Sequence, residues 1–195
     1  MLIIIEDLNR AFDVILFRVK TATFRLMSIK ESLAFYYKYS LPPLILLIIM
    51  SYALSRTVLS IFPGFSSTSG IVIASLVLIW IAVPALVLIQ SVFLYVAGMV
   101  LKFFKNDFPK TFTSATYGSI PLVLLLWLTS IPIYGKFVLV IIEIWSFIIL
   151  VVALAEQHAI SMFKALMLAL VANIIISLLF YGALSFLLPP LHLHL

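Results

Sequence analysis

Charge is scarce in this sequence. Aspartate, glutamate, lysine and arginine make up 10% of its 195 residues, against about a quarter in an ordinary soluble domain. Cysteine is absent, which excludes disulfides, thiolate metal sites and cysteine nucleophiles. Glycine occurs six times and never as a phosphate-cradling loop. No H-E-x-x-H, G-x-S-x-G or paired-aspartate motif occurs, so standard metal, acyl-transfer and nucleotide chemistries lack their parts. These absences lead us to expect a protein that is not an enzyme and uses no cofactor or metal.

Apolar residues dominate instead, at 65% of the chain with a mean hydropathy of +1.31. A small fold leaves much of its surface exposed, so this much apolar surface needs lipid as its solvent. The net charge of +5 does not imply nucleic acid. Most basic residues flank hydrophobic stretches, where they meet anionic headgroups or set topology. Acidic Glu6 and Asp7 directly follow the apolar Met1 to Ile5, so the basic start of a signal peptide is missing and the N-terminus is expected to be retained.

Residues 1–40 are mixed. Leu8, Phe12, Ile15, Val19, Ala22, Leu26, Ile29 and Leu33 recur at helical spacing, with Arg10, Asp13, Lys20 and Glu31 off the stripe. The spacing predicts an amphipathic cytoplasmic or interfacial segment, lying in the headgroup plane or against its own bundle. Ser28 and Glu31 fit a capping box, so a new helix is expected there. Phe35, Tyr36, Tyr37 and Tyr39 have the composition of a membrane-interface belt.

Residues 41–190 divide into spans at about 41–61, 71–104, 119–131, 137–155 and 162–188. Pro42 and Pro43 are expected in the first turn of the first span, where a missing amide is tolerated. Pro63, Gly64 and Gly70 mark a turn; Lys102 to Lys110 form a polar loop; Ile131 to Lys136 and Glu156 to Ser161 supply the later breaks. Basic residues concentrate before the first span, in the second connection and beside the fourth, while only Arg56 and Lys136 occupy the other side. Positive charge favours the cytoplasmic side. The expected architecture is therefore an all-α, five-helix multi-pass bundle of the cell membrane, N-terminus inside and C-terminus outside.

The run Ala115-Thr116-Tyr117-Gly118-Ser119-Ile120-Pro121 leading to Trp127, then Ile144-Trp145-Ser146-Phe147, then His158-Ala159-Ile160-Ser161 with Lys164-Ala165, resembles the Yip-domain (Ypt/Rab-interacting protein) family, prokaryotic type. The resemblance covers about residues 10–188. It implies a five-span bundle and a membrane-organising or scaffold role. No counterpart of the family's Asp-Leu-Tyr-Gly-Pro motif stands near the first span, so a Rab-like partner is not implied.

Three groups of residues are candidates for function. Glu143 falls about two turns into an apolar span, where a carboxylate must be neutral, paired or wetted. With Gln90 and Asn173 it forms a candidate intramembrane polar site, read either as the lining of a transport or lipid-moving path or as hydrogen bonds between helices. Glu156, His158 and Lys164 form a candidate turn cluster, read as a headgroup or partner contact or as helix-end chemistry with Ser161 as a cap. Arg18, Lys20 and Arg25 are candidate contacts to lipids, with anionic headgroups as the expected partner beside a possible protein partner or second copy. His192 and His194 are read as incidental.

Overall fold

The computed structural model describes residues 24–61, 68–104, 107–125, 128 and 134–187, with backbone alone at 47, 48, 50–61, 68–80, 135 and 180–187. The described residues form five helices and no strand: α1 (Ile29–Ile61), α2 (Thr68–Val100), α3 (Phe108–Leu125), α4 (Gly135–His158) and α5 (Met162–Leu187). Ile81–Val100, Lys136–His158 and Met162–Leu179 are long and apolar enough to cross a membrane. The coarse expectation of an all-α membrane-type chain therefore holds.

Helix α1 starts where the capping box places it. The Ser28 amide donates to Glu31 Oε2 at 2.8 Å, and the Glu31 amide donates to Ser28 Oγ at 3.3 Å. These bonds, the Ser28 amide first, hold the Glu31 carboxyl below the ordinary carboxylate range. A depressed folded value means that the contribution is present above the unfolded pKa and lost as pH falls through the folded one. The protection of the Ser28 amide against hydrogen exchange, relative to its intrinsic rate at each pH, should therefore fall on acidification. Ser28→Ala should destabilise the helix start by about 1 kcal/mol, read from chemical unfolding.

Two boundaries differ from expectation. The helix does not begin at Leu41 but runs from Ile29 straight through Pro42 and Pro43. The prolines remove two amides from the ladder, and Ser40 Oγ donates to the Tyr37 carbonyl at 3.4 Å beside them. At 33 residues, α1 is about 50 Å long and exceeds a hydrocarbon core of about 30 Å. The third helix starts at Phe108 rather than Ser119, because hydroxyls in a loop-like Thr/Ser sequence turn back on their own helix. Ser114 Oγ donates to the Lys110 carbonyl and Thr116 Oγ1 to the Phe112 carbonyl, both at 2.9 Å. The last two helices fall within a few residues of their expected bounds.

The apolar stripe expected through Leu26, Ile29 and Leu33 is also revised. Residues 25–28 are not helical, and Leu26 and Ile29 face outward while Phe24 and Met27 are buried. The aromatic group beyond them is likewise turned inward: Phe35, Tyr36 and Tyr39 are core residues and only Tyr37 is exposed. Three helices crowd these rings, so their area goes to packing rather than to the interface.

α3 is the buried axis of the fold, with every residue from Thr111 to Pro121 inside. It touches α1, α2 and α4; α5 touches α2 and α4. Helices α2, α3, α4 and α5 thus close a ring, and α1 packs outside it on α2 and α3. One core joins Phe24, Phe35, Tyr39, Tyr117, Ile120 and Ile149. The other joins Leu94, Phe112, Leu154 and Leu168 with alanines such as Ala115 and Ala169. Small residues bring helix backbones close, which is how apolar helices gain packing in lipid.

Candidate functional site

Helices α2 to α5 all line a cavity of about 620 Å³ that is half open to the outside of the bundle. α2 contributes Gln90, α3 Gly118 and Ser119, α4 Glu143 and Ser146, and α5 Asn173 and Ser177. The rest of the wall is apolar, from residues such as Val87, Leu122, Phe147 and Ile176. All three residues of the intramembrane polar group read from the sequence therefore meet at one place. Gln90 Nε2 donates to Asn173 Oδ1 at 3.3 Å, joining α2 to α5 across the cavity. Ser119 Oγ donates to the Thr116 carbonyl at 2.8 Å and lies 3.1 Å from the Tyr39 hydroxyl, so its polar capacity is engaged in the wall. Ser146 Oγ is buried without a hydrogen-bond partner among the described residues. Glu143 is exposed at the cavity rim.

Depth follows from helix rise. Gln90 lies ten residues before the end of α2 and Asn173 eleven after the start of α5, each about 15 Å from the end those termini share. Glu143 is eight residues into α4, about 12 Å from the opposite end. Below the amides the ring is solid: Leu94, Ala115, Leu154, Leu168 and Ala172 are completely buried, and Phe112 nearly so. The cavity is blind in that direction.

Gly118 was read from the sequence only as a residue allowing close helix approach, and Ser119, Ser146 and Ser177 were not among the candidate site residues. A signal existed for two of them, since Ser146 lies three residues after Glu143 and Ser177 four after Asn173, the spacing that shares a helix face.

The turn cluster is partly assembled. Phe104 folds back over Gly98, where an added Cβ would strike its ring, and stacks on His158 with centroids 3.9 Å apart. Lys102 takes a positive φ of 55° in this reversal. His158 Nε2 is 3.1 Å from Thr111 Oγ1, and Lys164 Nζ stands 5.7 Å over the Phe103 ring. Glu156 points outward, exposed, without joining them. Ser161 accepts the Lys164 amide at 3.4 Å, which is the helix-end role considered from the sequence. Among the described residues no three His, Asp or Glu side chains gather as a metal set.

Residues 24–28 are fastened to this same end. Gln157 Nε2 donates to the Phe24 carbonyl at 2.5 Å and the Tyr117 hydroxyl to the Arg25 carbonyl at 3.3 Å. Thr113 Oγ1 donates to the Met27 carbonyl at 2.9 Å and accepts the Met27 amide at 3.3 Å. Arg25, Lys102, Lys110 and Lys164 therefore belong to one basic end, with Lys110 paired to Asp107 at 2.6 Å. Lys136 begins α4 at the other. The Arg25 side chain is exposed; Arg18, Lys20, Trp127, His192 and His194 lie outside the described residues.

No family model matches this chain, and neither a curated protein nor a solved structure matches it. Fold and site define a helical protein of membrane type with a half-open, mainly apolar cavity that carries a few polar groups from four helices.

Proposed function

We propose that this is a five-span protein of the cytoplasmic membrane, N-terminus inside and C-terminus outside, that binds a membrane-borne amphiphile without chemically altering it. The observation that carries this reading is the cavity: four helices line it, its wall is mainly apolar, and its polar groups come from all four. Such a mixed lining suits a ligand with an apolar body and a polar group fixed at a few points. A blind cavity suits binding or movement within one leaflet better than a through-pore. The basic end faces the cytoplasm in this reading, because lysine and arginine gather there, and Glu143 then sits in the outer part of the membrane.

A scaffold role of the Yip type is the second reading. It is favoured by the fastening of residues 24–28 to α3 and α4, which holds the start of a basic segment against the bundle where it can meet anionic headgroups. The two readings are compatible, since the fastening and the cavity lie at different levels of the bundle.

The absence of cysteine makes the topology directly testable. In intact cells, an impermeant maleimide should label Lys136→Cys strongly, and should label Lys102→Cys and Lys164→Cys only after permeabilisation. The opposite pattern would reverse the orientation and refute the outer-leaflet opening. The binding claim is tested by filling the space. Ile176→Trp in reconstituted vesicles should remove capture of a fluorescent single-chain amphiphile, while Leu178→Trp, on an exposed position of the same helix, should not. Equal capture by both variants would refute the cavity as the site.

A further inference from the structure

We propose that the ligand of this cavity is a cationic amphiphile: an ammonium group on an apolar chain, with the ammonium held at Glu143. The inference rests on the reading that the cavity binds an amphiphile, and it adds the charge of the head.

The lining carries one formal charge, the Glu143 carboxylate, and no lysine or arginine. Lys136 is the only lysine or arginine on α4. It is seven residues from Glu143, about 10 Å along the axis, and is not part of the wall. No ion pair engages Glu143 among the described residues. A carboxylate in a membrane-spanning segment is costly unless paired or wetted, so a cationic head arriving there supplies the partner that the protein does not.

Hydrogen-bonding capacity points the same way. With Gln90 Nε2 donating to Asn173 Oδ1, this bond leaves the Gln90 carbonyl oxygen as an acceptor and the Asn173 amide nitrogen as a donor. Ser146 Oγ is buried and unpartnered among the described residues. These neutral groups can donate as well as accept, and the Glu143 carboxyl is the only acidic group in the lining. An ammonium offers three donors and no acceptor. A head with no ammonium, such as a carboxylate or sulfate, would meet the Glu143 charge with no lysine or arginine in the wall to offset it.

The apolar remainder of the wall, including Leu86, Val87, Leu122 and Ile176, matches a hydrocarbon chain. Leu86 and Ile89 are also exposed on the outer face of the ring, so a chain leaving the cavity passes onto apolar surface rather than into water. The ammonium could belong to a free alkylamine or to the ethanolamine head of a lipid; both present the same donors.

The test uses the full chain in nanodiscs of phosphatidylcholine. Equilibrium binding is measured for three probes of equal chain length: radiolabelled dodecylamine, dodecanol and dodecanoate. Binding to empty nanodiscs is subtracted. Dodecylamine should bind about tenfold more tightly than dodecanol, the gain expected of a charge-assisted hydrogen bond, and dodecanoate should bind more weakly than either. Glu143→Gln should reduce the preference for the amine over dodecanol to less than about threefold. Glu143→Asp should retain most of it, and Lys136→Gln should leave it intact. If Glu143→Gln does not fold, the order of the three probes on the native protein still decides. Equal binding of all three, or preference for dodecanoate, overturns the cationic assignment and leaves the amphiphile reading standing. Absence of specific binding by any probe overturns both. Replacing part of the lipid with phosphatidylethanolamine separates the sources: loss of dodecylamine binding by competition supports the lipid headgroup, and unchanged binding supports a free amine.

Discussion

Tyr117→Ala should loosen residues 24–28 on the bundle and destabilise the protein by about 2–4 kcal/mol, while Tyr117→Phe should cost about 1 kcal/mol. Tyr117 is completely buried. Its ring meets Phe24 edge-on at 5.0 Å and Phe35 at 5.8 Å, and its hydroxyl holds the Arg25 carbonyl. Truncation therefore removes the common neighbour of a helix and a non-helical segment at once. Replacing a buried large aromatic by alanine costs about 3–5 kcal/mol in water-soluble cores. We place the expected loss lower because lipid also solvates an exposed ring, which leaves mainly the lost packing contacts. Two measurements check this. Unfolding in mixed micelles gives the stability difference, and limited trypsin digestion reports release of the segment, since Arg25 is already exposed and only its backbone is held. Cleavage after Arg25 should accelerate in Tyr117→Ala and change little in Tyr117→Phe. If the alanine variant is cut no faster than the native chain, the segment is not held by this residue.

The contrast between those variants also bears on what the sequence disclosed. Ser28 and Glu31 declared a helix start by chemistry that acts over four residues, and the start is there. Ser161 did the same at the start of α5. Gln90 and Asn173 were legible as partners because an amide inside a span has few other uses, although their pairing across 83 positions needed the ring to form. Glu143, two turns into its helix, was legible for the same reason.

What stayed hidden depended on the third dimension. Pro42 and Pro43 resemble a helix start because their local cost is real; the packing of Phe35, Tyr36 and Tyr39 lies on the same helix just before them. Thr111 to Ser119 resemble a loop in composition. They form the most buried helix because their hydroxyls bond to carbonyls one turn back or, at Thr113, to Met27. The aromatic group at 35–39 has interface composition, and its orientation was set by Tyr117 and Ile120 from another helix. The cavity was the least legible feature of all. It is a space left between four helices, and no single segment encodes it.

Gly118→Val should have the other large effect, separating α3 from α4 and removing one wall of the cavity. A Cβ at residue 118 would stand 2.8 Å from Leu150 Cβ and 3.2 Å from Leu150 Cα. The first distance is shorter than any ordinary carbon contact, and the second involves backbone, so a change of rotamer cannot relieve it. α4 cannot retreat freely either, because Ile149, Leu150 and Leu154 are buried on the same face. Overpacking of this kind costs about 1–3 kcal/mol. Gly118→Ala should fall near the lower figure, and Gly118→Val near or beyond the upper one. The decisive comparison is the double variant Gly118→Ala with Leu150→Ala. Trimming Leu150 to alanine keeps its Cα and Cβ, so the closest approach persists and the double variant should gain nothing over Gly118→Ala. Rescue by Leu150→Ala would mean that crowding arises from the leucine tip, whose Cδ1 would lie 3.4 Å away, and that the two backbones are not in limiting contact. Because Gly118 and Leu150 both line the cavity, the same variants should reduce amphiphile capture in proportion to the helix separation, linking the close approach of α3 and α4 at Gly118 to the space beside it.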